Sequence, residues 1–171
     1  SIEKCKTLYY CYFTVPDKNT IVYPHRNQKV ERRGYTEQKF EEKLKYSFKE
    51  IKNYEVLGNV SIHYSKYNHP YEPDIAIIEN GNKYGIRIDI EIDEPYDGIN
   101  KKPIHFIGCG DSFRDKMLAK LGWIVIRFSE KQIFIEPNKC INYIKEIISR
   151  IDDSIISDSS IFPTMDKCWT E

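Results

Sequence analysis

Isoleucine occupies every second position from Ile86 to Ile92, and Arg87, Asp89, Glu91 and Asp93 alternate with it. A period of two means a strand with one oily and one charged face. Upstream, Tyr71–Glu79 predicts another strand, and Asn80–Asn82 a tight turn that folds the two into a hairpin. Glu55–Ser65 predicts a third strand, joined to the second by a polar loop. In Tyr35–Asn53 the spacing changes to that of a helix, with Phe40, Leu44, Phe48 and Ile51 as its apolar stripe and Thr36 as its N-cap.

Downstream, Asp111–Trp123 predicts a helix with Asp111 as N-cap, a stripe of Phe113, Met117, Leu118 and Leu121, and Gly122 as its stop. Trp123–Glu130 is almost wholly apolar and predicts a buried strand. Pro137–Ile151 predicts a last amphipathic helix. At the N-terminus, Thr7–Val15 and Thr20–Pro24 flank a Pro-Asp turn and predict a hairpin. The expected organisation is a hairpin and connecting loop over 1–34, a core domain over 35–150, and a Ser/Asp-rich, loosely attached tail or linker over 151–171. The closing Cys-Trp-Thr-Glu reads as the cut end of a longer chain. Strands and helices in this order predict an α/β fold, a mixed central sheet flanked by helices.

Composition narrows the class. The chain has 171 residues, 40% of them hydrophobic, enough for one domain with a real core. The 26 basic and 26 acidic side chains cancel, so only their local distribution bears on a nucleic-acid partner. The five cysteines are scattered and contain no CxxC pair, which argues against a zinc site and a disulfide framework. No window approaches the roughly 20 apolar residues of a membrane span. The expectation is a soluble, cytoplasmic protein without a membrane partner.

The charged positions then raise a chemical question. Asp74 follows Pro73 at the start of its strand, and Glu91 and Asp93 share a face of the next one, near the open end of the same hairpin. A bulge or strand offset would bring them side by side. Glu37 falls in the middle of the first helix's apolar stripe and would cover the same point. Clustered carboxylates suit a hard cation, Mg2+ or Mn2+. Such a cation is what phosphodiester hydrolysis requires.

These residues and the element order resemble the PD-(D/E)xK nuclease superfamily, whose core is αβββαβ. Glu72–Asp74 (EPD) is similar to the first half of its motif and Glu91–Asp93 (EID) to the second, with Asp93 where the lysine would stand. The resemblance spans Tyr35 to Glu130 and looks closest to the very-short-patch-repair-like branch, in which Glu-x-Asp, a loop histidine and DxxRDxxLxxxGWxVxRFxxxxV follow one another. Here His105 lies in the loop, and DSFRDKMLAKLGWIVIRFSEKQI runs from Asp111 to Ile133. The resemblance implies a restriction-endonuclease-like core with an extra N-terminal hairpin and C-terminal helix. It implies a divalent-metal-dependent nuclease acting on DNA in preference to RNA, with weak sequence preference. The metal would sit on Asp74, Glu91 and Asp93, with Glu37 as a further candidate. With the lysine replaced, His105 or Lys116 would assist the attacking water. Arg114, Lys101 and Lys102 would contact phosphate. The chain would serve as an effector domain fused to or associated with a larger prokaryotic defence or repair protein; nuclease modules attached to short Argonaute systems are one such context.

Each assignment has a plainer counterpart. Pro73–Asp74 is also a common turn, and Glu37 also suits a helix N-terminus. Asp93 also fits an exposed strand face, where Arg87 and Asp89 would form a cross-strand or solvated pair. Arg127, inside an apolar strand, requires a partner such as Asp115 or a site carboxylate. The competing functions are an inactive nucleic-acid-binding module that keeps the nuclease fold, and an interaction domain whose acidic face takes a basic partner.

Overall fold

A computed structural model describes residues 2–5, 10–16, 25–26, 34–63, 69–81, 83–93 and 111–164. His105, Lys101 and Lys102 lie outside them, as does the Thr20–Pro24 half of the expected hairpin. The described strands are β1 (Ile2–Cys5), β2 (Tyr10–Thr14), β3 (His25–Arg26), β4 (Tyr54–Leu57), β5 (Val60–Ser61), β6 (Ile75–Glu79), β7 (Arg87–Asp93) and β8 (Ile124–Ser129). The described helices are α1 (Tyr35–Phe48), α2 (Asp111–Lys120), α3 (Glu130–Ile135) and α4 (Pro137–Ser149).

The main sheet is open and mixed, in the order β1-β2-β8-β7-β6-β4. β7 and β8 run parallel, and the other neighbours are antiparallel. The isoleucine face of β7 forms a core with Phe40, Leu44 and Phe48 of α1, Ile133 of α3, and Ile144 and Ile147 of α4. Aromatic edges close this core: Phe128 meets Phe40 and Tyr143 with ring centroids 6.1 and 6.3 Å apart. The opposite face carries a second, smaller core in which Leu118 and Ala119 of α2 pack with Val60, Ile62, Ala76, Trp123 and Val125. The sheet is therefore covered on both sides. That is the usual condition of a strand flanked by a parallel neighbour.

Several local expectations are corrected. β2 finds its hairpin partner in β1, with Ile2 opposite Thr14 and Cys5 opposite Cys11. The predicted strand Glu55–Ser65 is broken after Leu57. β4 stays in the main sheet, while β5 pairs with β3 in a separate two-stranded ribbon. α1 begins after Gly34, which makes no side-chain cap bond, and not after Thr36. α2 is rotated from its predicted stripe, so that Phe113 is 63% exposed while Asp115 is fully buried.

A short helix follows β8 where only a strand end was expected. Ser129 and Gln132 close a capping box. The Ser129 hydroxyl accepts from the Gln132 backbone at 3.2 Å, and Gln132 Oε1 accepts from the Ser129 backbone at 3.0 Å. The loosely attached tail does not hold for residues 151–164. Ile155 is buried in the larger core, and Phe162 meets Tyr143 edge-on at 5.5 Å. Asp152 accepts from the Tyr54 hydroxyl at 2.7 Å, and Glu136 accepts from the Thr164 backbone at 2.7 Å.

The connection from β6 to β7 sets the site's register. It is longer than a tight turn and runs through residues 80–86, using positive φ at Gly81 (95°) and Gly85 (74°). The Glu79 carboxylate organises it by accepting from the backbone of Tyr84 and Ile86 at 3.0–3.1 Å. As a result Ile75 pairs with Ile90 and Ala76 with Asp89. Continued by one residue, this register sets Asp74 opposite Glu91.

Candidate functional site

Asp74 stands just before β6, after the buried Pro73. Its Oδ2 accepts from the Ile92 backbone at 2.8 Å, which holds the carboxylate between the positions of Glu91 and Asp93. The sheet thus brings these three residues together at one strand end, without a bulge in the β6–β7 pairing.

Asp89, Glu91 and Asp93 share one face of β7, and all three are buried. Each finds a different environment. Glu91 accepts from the Tyr71 hydroxyl. Tyr71 is fixed by paired backbone bonds with Ile62 at 2.7 and 2.9 Å, and the Arg114 guanidinium lies 5.3 Å from its ring centroid. Burial, together with the charges of Asp89 and Glu91, makes the Tyr71 phenol far less acidic than usual. Asp93 accepts from Arg127 Nη1 at 2.5 Å. The same guanidinium holds Asp115 of α2 in a fork, Nε to Oδ2 at 2.5 Å and Nη2 to Oδ1 at 3.0 Å. Burial works against the Arg127 charge, but the Asp115 bonds and the Asp93 and Glu91 charges outweigh it and fix the guanidinium as a cation.

Asp89 differs from both. It is fully buried, and neither carboxylate oxygen has a hydrogen-bond donor among the described residues. Its close polar neighbour is the Glu91 carboxyl, itself an acceptor unless one of the two carries a proton. Burial pushes Asp89 up to about 8, with Asp115 and Asp74 adding to the shift and Arg127 opposing it. Burial likewise drives Glu91 well above the ordinary carboxylate range, reinforced by Asp89 and Asp74. The expectation that Arg87 and Asp89 form a wet edge is overturned, because β7 is interior and α2 covers this face. Arg87 is buried; its Nη2 donates to the Leu121 carbonyl at 3.2 Å, and its guanidinium lies 5.9 Å from the Trp123 ring centroid.

The remaining candidates lie apart. Glu37 is half-buried in the first turn of α1, which packs on the isoleucine face, so it approaches from the other side of the sheet. Lys116 and Arg114 are exposed on α2. Tyr71, Asp89, Asp115 and Arg127 are members that sequence reasoning did not place in the site. Tyr71 carries no pattern beyond its position three residues before Asp74. Asp115 was legible only as a partner for Arg127.

Five carboxylates, from Asp74, Asp89, Glu91, Asp93 and Asp115, therefore gather around the Arg127 guanidinium. An all-oxygen set with surplus negative charge suits a hard cation in kind. In arrangement it is closed. Tyr71 occupies Glu91, Arg127 occupies Asp93, and no three His, Cys, Asp or Glu side chains among the described residues are grouped to hold an ion as they stand. None of the described helices is long and apolar enough to cross a membrane. No family model matches the chain, nor does any curated protein or solved structure.

Proposed function

We propose that the chain is a divalent-metal-dependent nuclease that hydrolyses phosphodiester bonds, DNA in preference to RNA, with little base preference. The observation that carries this reading is the Asp74–Ile92 bond, which anchors a Pro-Asp carboxylate opposite Glu91 where negative charge exceeds positive. The succession α1, β4, β6, β7, α2, β8 supports it as well, since it follows the αβββαβ order of a restriction-endonuclease-like core.

Asp74 and Glu91 would hold Mg2+ or Mn2+; Glu37, on the other side of the sheet, would not reach it. Such an ion supplies Lewis-acid stabilisation of the phosphoryl group and activation of water. Arg127 keeps a permanent positive charge beside Glu91 and orients Asp93, the residue in the lysine's position. Lys116 and Arg114, exposed on α2, would meet phosphate together with Lys101 and Lys102. His105 is the candidate base. The setting is a cytoplasmic effector module of a prokaryotic defence protein.

Incubation with plasmid DNA and with single-stranded RNA, in Mg2+, Mn2+ or EDTA, tests the reading. Cleavage that requires the cation and disappears in Asp74→Ala and Glu91→Ala supports it. The second reading, a nucleic-acid-binding module without activity, is favoured by one specific observation: Tyr71 and Arg127 already occupy Glu91 and Asp93. Tight binding without cleavage in every metal supports that alternative.

A further inference from the structure

We infer that the outer face of α2 is a platform for single-stranded DNA, with Phe113 as the residue on which a base stacks. This rests on the nuclease reading above and names the form of its substrate.

Asp115, Leu118 and Ala119 turn one side of α2 toward the sheet, and all three are buried. At about 100° per residue, Phe113 falls nearly opposite the middle of that side, and it is 63% exposed. Lys120 lies almost on the same line of the helix, roughly 10 Å further along. Lys116 stands to one flank of Phe113 and Arg114 to the other, and these three basic residues are exposed as well. Among the described side chains, the outer face of α2 therefore carries an aromatic ring among cations and no carboxylate.

The face is held rigidly from behind. Arg127 forks onto Asp115, and Leu118 and Ala119 pack with Trp123 and Val125 in the smaller core. A ligand on Phe113 thus has no helix to order. The face also adjoins the carboxylates. The Arg114 guanidinium lies 5.3 Å from the Tyr71 ring centroid, and the Tyr71 hydroxyl donates to Glu91. A strand held along α2 reaches the sheet end where Asp74 and Glu91 stand.

The cations attract the phosphates of single and double strands alike. The ring discriminates. In a duplex each base is covered on both faces by its neighbours, whereas an unpaired base offers a face to an exposed aromatic side chain. Such stacking tolerates any base, in keeping with the weak base preference proposed above.

The test is fluorescence anisotropy of the full chain with a labelled oligothymidine about 15 nucleotides long and with a blunt duplex of equal length, both in EDTA. Wild type is compared with Phe113→Ala, Phe113→Trp and the double variant Lys116→Gln, Lys120→Gln. Phe113 is exposed, so its replacements keep the wild-type melting temperature. The expected result is tighter binding of the single strand than of the duplex by wild type. Phe113→Ala weakens single-strand binding about tenfold and leaves duplex binding unchanged, and Phe113→Trp retains both. The double lysine variant weakens both and flattens the salt dependence. Unchanged single-strand binding in Phe113→Ala, a preference for duplex, or no binding by wild type overturns the proposal. Cleavage of the same DNAs in Mg2+ is scored separately, so the nuclease reading stands or falls on its own.

Discussion

Arg127 and Asp93 meet through Nη1 and Oδ1 at 2.5 Å, from adjacent parallel strands and both out of contact with water. The contact joins α2 to the central sheet, because the same guanidinium forks onto Asp115. Removing Arg127 takes an ion pair from two buried carboxylates, Asp93 and Asp115. Arg127→Met is expected to destabilise the fold by about 3–5 kcal/mol, read as a lowered urea midpoint. Arg127→Lys cannot reproduce the fork and falls in the same direction.

Asp89 gives stability a pH dependence whose sign follows from its burial. Folded, the carboxyl keeps its proton up to about pH 8; unfolded, it releases it near 3.8. Its contribution is therefore complete in acid and is lost as pH rises through about 8. In EDTA, wild type should melt lower at pH 8.5 than at pH 5.5. Asp89→Asn should flatten that dependence and exceed wild type at pH 8.5 by about 1–3 kcal/mol.

Tyr71 caps Glu91 with its hydroxyl. Tyr71→Phe keeps the ring under Arg114 and removes only that donor. The expected cost in EDTA is about 1–3 kcal/mol, measured by chemical denaturation. If the cation displaces this hydroxyl, saturating Mn2+ narrows the gap between variant and wild type.

Residues 151–164 supply a contrast between neighbours. Ile155 is buried in the larger core, and Ile156 is 88% exposed. Ile155→Ala should cost about 2–4 kcal/mol and Ile156→Ala within about 0.5 kcal/mol of nothing. Equal effects from both would contradict the docking of this segment on α4.

The alternating isoleucines of β7 identified the central strand, and the apolar run Ile124–Phe128 identified its parallel neighbour. Arg127 declared its need for a partner simply by being a charge among them. What escaped was non-local. Charged alternation on β7 is the same pattern whether that face meets water or α2, so the burial of Arg87 and Asp89 had no local sign. The pairing of Ile2–Cys5 with β2 is likewise one that propensity does not encode. The Ser/Asp-rich composition of residues 151–164 masked two anchors, Ile155 and Phe162, and the Ser129–Gln132 capping box was short enough to be read as the end of a strand. In the site, the offset between Asp74 and Glu91 followed from the length of the 80–86 connection, in which Asn-Gly suggested a tighter turn.

The most direct test of the metal-dependent account is a crystal soaked in Mn2+ and examined by anomalous scattering. The account predicts a single strong peak about 2.1 Å from oxygens of Asp74 and Glu91, with Arg127 still on Asp93. A map without a peak at these carboxylates would contradict it.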